Sequence, residues 1–450
     1  MVTLPNIGLF DVCLGIVYLF IIYFCAYHYQ QKKINTNPEY HYFLVGLTAK
    51  LIGSIAFVFI SIYYYKKGDT FLYFQIAEDL RNYLQSSPKE TLKLIITPYH
   101  ELSEAVYNPL EKYNYYYERT TTWSFSKIVF FFNLISFGSY LVSSILFALL
   151  SYVGLWLGYS TLCKIYTHST KLMLIPFFMI PTAIIWSSGI LKDTLMVGSI
   201  GLLLYSSVNI LLYKKQFYFN IILCVIVCLL ILLLKPILLL FFIPFLVLWG
   251  TIHSIIKIRS NRNKIILVIS VIVFTVGVGF TINNHFLKNR PKYQITHLME
   301  RLKVFHTQHP QHPVPNSKYT LGEINYSILG TIKKTPEAIN TTFFRPYLWE
   351  VHNIPTAIAA IEALLLFIFF IMILFRIFIT NNPSNLFKQK EVLLMILFSI
   401  TYGAIVGISS TNFGALSRQK IPAVFFFLLA LIIIVYNQNR QQKSIKTYQS

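Results

Sequence analysis

The chain alternates long apolar runs with short polar breaks, and the runs have the length that a bilayer demands. A membrane core takes about 20 apolar residues per helix. Such runs fall at 8–27, 43–63, 139–162, 172–187, 193–212, 217–234, 236–254, 265–283, 354–375, 392–410 and 421–436. Two runs are too long for one crossing. The stretch 126–162 divides into an interfacial helix over 126–137 and a span, while 217–254 breaks at Lys235-Pro236, because proline cannot continue the helical hydrogen-bond ladder. Two long segments, 64–125 and 284–353, remain between spans. The pattern predicts an all-α, polytopic integral membrane protein of about eleven transmembrane helices. Residues 1–450 form a single membrane-embedded domain, with two long extracytoplasmic loops that contain interfacial helices. No internal repeat of fixed period and no low-complexity tract interrupts it.

Lysine and arginine prefer cytoplasmic loops. Lys32 and Lys33, Lys164 and Lys171, Lys214 and Lys215, the group Lys257 to Lys264, then Arg376, Lys388 and Lys390, and the tail from Arg440 all fall on one side if the N-terminus is outside and the C-terminus inside. The first helix has no basic leader and no small-residue cleavage site, so it reads as a retained span.

Composition agrees. Hydrophobic residues make up 55% and charged residues 12%, yet the formal net charge is +21. A soluble chain carries about twice that charged fraction. Bilayer must therefore cover most of the surface, which excludes a soluble enzyme, a disordered tail and a soluble nucleic-acid binder. Cys13, Cys25, Cys163, Cys224 and Cys228 lie mostly inside apolar runs, which argues against a disulfide or metal framework.

The chemistry has few places to sit. The first outer segment opens Tyr63-Tyr64-Tyr65-Lys66-Lys67-Gly68-Asp69-Thr70, with Tyr73 one turn later. A carboxylate at headgroup depth can take a proton from a sugar hydroxyl attacking an anomeric carbon. Alternatively, Asp69 or Thr70 starts and caps the helix that carries Glu78 and Asp79. The tyrosines at 113, 115, 116 and 117 suit an interfacial belt or a stacked sugar ring. Cations recur on short outer turns, against the positive-inside tendency: Lys192 in Trp186-Ser187-Ser188-Gly189-Ile190-Leu191-Lys192-Asp193, Lys235 before Pro236, and Arg418 and Lys420 after Asn412-Phe413-Gly414. Arg345 and Glu350 lie in Phe344-Arg345-Pro346-Tyr347-Leu348-Trp349-Glu350. A shared anion such as a lipid phosphate explains the group. Pairing of Lys192 with Asp193, and snorkelling of Lys235 and Arg418, explains it as well.

Intramembrane ionisable groups are Asp11, Lys50, which can snorkel to the inner side, and Glu362, which faces the bundle interior. Segment 284–353 holds six of the eleven histidines and nine Lys+Arg against four acids. His306, His309 and His312 are spaced by three, but Pro310 and Pro313 interrupt any helix that aligns them. No zinc spacing, Walker loop or dinucleotide fingerprint occurs.

These residues resemble the bacterial polytopic glycosyltransferases that use polyprenyl-linked sugars, of the GT-C fold type or the O-antigen and capsule polymerase type. Gly68-Asp69-Thr70 with Tyr73 is similar to the carboxylate that follows an early span in GT-C enzymes, and 284–353 is similar to their second long outer loop. The aromatic-plus-basic turns around Trp186, Lys235, Arg345 and Arg418 resemble those of the polymerases. An extra helix precedes the GT-C-like module, and its usual second acidic motif has only Glu350 as a substitute. The resemblance implies inverting transfer at the outer face of the bacterial cytoplasmic membrane. Asp69 (alternatively Glu350) is the base, with Tyr73, Lys192, Lys235, Arg345 and Arg418 binding substrate. It implies a polyprenyl-linked sugar or glycan and membrane lipids as partners, no nucleic acid and no cofactor, although a divalent cation is compatible. Sugar, acceptor and oligomeric state stay open. A lipid-linked oligosaccharide flippase and a non-catalytic scaffold remain alternatives. Within 284–353 and the short outer turns the positive charge collects on one face, which favours transfer over a central transport path.

Overall fold

The structure is a computed structural model and describes residues 4–96, 120–255, 260–281, 318–379 and 390–449, with 284, 300, 302–304 and 306 besides. It is 86% helical, with no strand among the described residues. Seven helices there are long and apolar enough to cross a membrane, or eight if the bent pair Phe413–Gln419 and Ile421–Asn437 counts as one span.

The chain opens with α1 (Leu9–Ile34) and α2 (Pro38–Tyr65), both candidate spans. The first long segment then carries α3 (Asp69–Ser86) and α4 (Pro88–Ile96). Tyr113, Tyr115, Tyr116 and Tyr117 lie outside the described residues. The stretch expected as a separate helix over 126–137 forms α5 (Thr120–Ile135), which packs on α3 and is followed by Phe137 and Gly138, both with positive φ. The next span is α6 (Tyr140–Ile165).

The run expected at 172–187 is interrupted. It forms α7 (Thr170–Met179) and α8 (Pro181–Trp186), separated by the extended residue Ile180. Spans α9 (Lys192–Tyr213) and α10 (Phe217–Leu234) follow, and α11 (Pro236–Ile255) starts immediately after Lys235, as the proline predicts. Residues 265–281 of the 265–283 run lie in α12 (Asn261–Thr281). The second long segment carries α13 (Ile328–Lys333), α14 (Thr335–Phe344) and a single turn over Leu348–Glu350. Last come the spans α15 (Ile354–Ile379) and α16 (Lys390–Ser409), then α17 (Phe413–Gln419) and α18 (Ile421–Gln449).

Contacts gather into two compact units. The first comprises Met1–Thr161, Ala183–Tyr205 and Ile222–Lys235. Between lipid-covered helices there is little hydrophobic drive, so small residues that let backbones approach closely carry the packing. Here Gly154 and Gly158 of α6 meet Gly198 and Gly201 of α9: a Cβ on Gly158 would stand 2.8 Å from the Gly201 carbonyl oxygen. The rings of Phe43, Tyr152 and Trp156 pack edge-to-face or tilted beside them, with centroids 4.8 to 6.1 Å apart.

The second unit comprises Leu162–Thr182, Ser206–Ile221 and Pro236–Ser450. Its core is a cluster of Phe242, Phe245, Phe398 and Phe426. Helix α14 lies against α16, where Gly403 and Gly407 leave room for Phe343 and Ala338, and the Thr342 hydroxyl donates to the Gly403 carbonyl at 2.7 Å.

Candidate functional site

In the first unit, α2 ends at Tyr65 and the chain turns through Lys66 (φ 54°) and Gly68 (φ 144°) into α3. The second value suits glycine alone. Gly68 is the capping residue and Asp69 the first residue of the helix, exposed, where a carboxylate complements the helix dipole. Thr70 does not cap; its buried hydroxyl lies 2.8 Å from the Tyr140 hydroxyl.

One turn on, the buried Tyr73 ring packs edge-on against Phe125 of α5 at 4.8 Å. Lys192 sits over the same ring, with Nζ 5.1 Å from the ring centroid and 3.2 Å from the Thr121 hydroxyl. The expected Lys192–Asp193 pairing is not what forms: Asp193 instead makes an ion pair with Lys235. Asp69, Tyr73, Lys192, Asp193 and Lys235 thus belong to one neighbourhood of one unit.

The turn before Lys192 is packed into the unit. Ser187, Ser188 and Ile190 are buried. Lys50 Nζ donates to both the carbonyl and the hydroxyl of Ser187, and Trp186 packs edge-to-face with Phe57 and tilted against Tyr65. Non-helical backbone buried in a membrane protein is tolerated only where protein satisfies it. Lys50 bonds the Ser187 carbonyl, and the Thr194 hydroxyl bonds the Gly189 carbonyl at 2.7 Å. Lys50 therefore does not snorkel; it pins the turn that presents Lys192 and Asp193.

A cavity of about 340 Å³ lies in the same unit, lined by Asn6, Asp11, Gln75, Glu78, Ser139 and Tyr140 among others. Its α3 residues sit on the face of that helix opposite Asp69 and Tyr73.

In the second unit, Arg345 and Glu350 form a clasp. Arg345 Nε lies 3.1 Å from each carboxylate oxygen, Nη2 adds a contact to Oε1, and the Tyr347 N–H donates to Oε2 at 2.8 Å. The rings of Tyr319, Tyr347 and Phe413 surround the guanidinium at 5.5 to 5.8 Å. Burial pushes the Glu350 carboxyl up, but Arg345 and the Tyr347 N–H outweigh it, leaving the group below the ordinary carboxylate value. Arg418 is half-buried on α17, whose first residue is Phe413 of that clasp. His306 is bonded to the Tyr326 hydroxyl and the Ile408 carbonyl; His309 and His312 lie outside the described residues.

Tyr319, Thr121 and Thr122 had no signal in the sequence, since each contacts its cation across a long sequence separation. Among the described residues no three His, Cys, Asp or Glu side chains gather to hold a metal ion. Comparison with protein-family models, curated proteins and solved structures finds no match.

Proposed function

We propose that this multi-pass membrane protein is a glycosyltransferase that transfers or polymerises sugar from a polyprenyl-phosphate or -diphosphate donor in cell-surface polysaccharide synthesis. It acts at the extracytoplasmic face of a bacterial cytoplasmic membrane, with about eleven spans, the N-terminus outside and the C-terminus inside. The observation that carries the reading is the exposed Asp69 carboxylate one helical turn from Tyr73, whose ring lies under Lys192, with Lys235 ion-paired to the adjoining Asp193.

In this reading Asp69 takes the acceptor hydroxyl proton as that oxygen bonds the anomeric carbon. The bond from that carbon to the donor phosphate oxygen breaks, with inversion. Lys192 and Lys235 offset the charge that grows on the leaving phosphate. Glu350 is the weaker base, because Arg345 holds it ionised; Arg345 and Arg418 serve as further cations for lipid phosphate. A second reading, a lipid-linked oligosaccharide transporter, is favoured by one observation: a buried Glu362–Lys420 pair beside interrupted helices.

The test is Asp69→Asn assayed in membranes. Loss of glycan product at an unchanged protein level is expected, and a wild-type amount of product would sink the catalytic assignment.

A further inference from the structure

The cavity of the first unit takes no part in the proposed transfer, since Asp69 and Tyr73 lie on the other face of α3. Its volume is about 340 Å³, and small-molecule sites run from about 300 to 1,000 Å³. Its walls come from the segment before α1, the first turn of α1, the middle of α3 and the connection from α5 to α6.

The lining selects a charge. Asp11 of α1 and Glu78 of α3 bring carboxylates from two separate helices, and a carboxylate only accepts hydrogen bonds. Asp11 Oδ2 receives the Gly8 N–H at 3.0 Å, and Glu78 Oε1 lies 3.9 Å from Arg81 Nη2, the outer limit of an ion pair. Each contact engages one oxygen of its carboxylate. Arg81 is not part of the lining: a Cβ on Gly138 (φ 82°) would run into its guanidinium, which therefore stands behind the Gly138 wall. Two carboxylates against that one guanidinium leave a negative charge unbalanced.

The rings select an organic cation. Phe10, Phe74, Phe137 and Tyr140 line the same cavity, Phe74 and Tyr140 packing edge-to-face at 5.2 Å. Aromatic faces attract ammonium groups, and cages of such rings recognise them. A bare calcium ion instead wants about 6–8 oxygens around it, and the rings of Phe10, Phe74 and Phe137 offer none. An anionic ligand would meet both carboxylates and the negative ring faces.

The position selects a lipid as the bearer. Helices α1 and α6, candidate spans of 26 residues each, both begin at the cavity. At 1.5 Å per residue each is about 39 Å long, more than the ~30 Å of a hydrocarbon core, which leaves room for their first turns among headgroups. Phe10 and Phe137 are 62% and 66% exposed, and Leu4 of the lining is exposed too. The polar interior thus adjoins apolar surface that acyl chains can cover.

We propose that this cavity binds an amine-bearing phospholipid, holding the headgroup ammonium between Asp11 and Glu78 and among the rings of Phe74 and Tyr140, with acyl chains over Phe10 and Phe137. Phosphatidylglycerol, which has the same phosphate and chains but no ammonium, is the matched ligand that the site rejects.

Native mass spectrometry of the full-length protein in detergent, titrated with phosphatidylethanolamine or phosphatidylglycerol, tests this. The wild type should retain one phosphatidylethanolamine at a concentration at least tenfold below that needed for phosphatidylglycerol. Asp11→Asn with Glu78→Gln keeps shape and hydrogen-bond acceptors, and should bring the two lipids to equal affinity. Glycerophosphoethanolamine, the headgroup without chains, should compete at least tenfold more weakly than the lipid. A wild type without headgroup preference would overturn the proposal, and that arm needs no variant to fold. So would a preference that survives the double substitution, which places the lipid elsewhere on the protein. Equal competition by glycerophosphoethanolamine would overturn the lipid as the bearer. None of these outcomes depends on sugar transfer.

Discussion

Arg345 and Glu350, five residues apart, close the segment between α14 and α15 with a two-point guanidinium–carboxylate contact in which Nε reaches both oxygens at 3.1 Å. Their side chains are 16% and 20% exposed, so solvent screens the contact only in part. Charge-assisted bidentate pairs are about twice as strong as neutral hydrogen bonds. Arg345→Ala leaves the Glu350 carboxylate without its cation and exposes the Tyr319, Tyr347 and Phe413 rings. We expect a destabilisation of about 1.5–3 kcal/mol, read as a lower midpoint of thermal unfolding in detergent, with Glu350→Gln showing a smaller loss.

The same pair gives a pH dependence with a definite sign. Glu350 titrates lower in the folded protein than in the unfolded chain. Its stabilisation is therefore complete above the unfolded carboxylate value of about 4.3 and is lost as pH falls through the lower folded value. Arg345 is shifted up, chiefly by Glu350, and stays charged throughout. Within that window the thermal midpoint of the wild type should fall more steeply with falling pH than that of Glu350→Gln. Equal slopes would show that Glu350 does not couple to folding.

The contact between α6 and α9 predicts a different failure. A Cβ on Gly158 would stand 2.8 Å from the Gly201 carbonyl oxygen and 2.9 Å from its Cα, both backbone atoms that cannot swing aside. Gly158→Ala should lower the thermal midpoint, and Gly158→Leu should abolish recovery of folded protein from membranes by size-exclusion chromatography. Gly277, with nothing within 4 Å of its Cβ position, is the control and should accept alanine.

These cases show what the order of residues reveals. Spans such as 193–212 and 354–375 are legible because lipid imposes a length and a composition on each helix separately. The Arg345–Glu350 clasp is nearly as legible, being local. The buried turn at 187–191 is not: hydropathy registers an apolar run over 172–187 and cannot see that Lys50 will supply the bonds its backbone needs. In the same way, Lys192 stands out by type and position. That it sits over Tyr73, while Asp193 turns to Lys235, depends on helices meeting that are far apart in sequence. The Gly154–Gly201 approach needs two helices at once, so neither glycine stands out alone.

Lys192 carries the sharpest prediction for transfer, because its ammonium stands over the ring of Tyr73, one helical turn from Asp69. The Tyr73 ring face and the Thr121 hydroxyl contact Nζ, while the nearby carboxylate of Asp193 is engaged by Lys235. A cation over an aromatic face is worth about 0.5–2 kcal/mol, so Lys192→Met should cost little stability. Its charge is a different matter. A preorganised group facing developing charge contributes about 10²–10³ in turnover, and Lys192→Met should lose that much in a membrane assay with a lipid-linked donor. Lys192→Arg, which keeps the cation but spreads it, should retain more activity than Lys192→Met. If both variants turn over at the wild-type rate, Lys192 does not face the leaving phosphate, and the ammonium serves only to fasten α9 to α3.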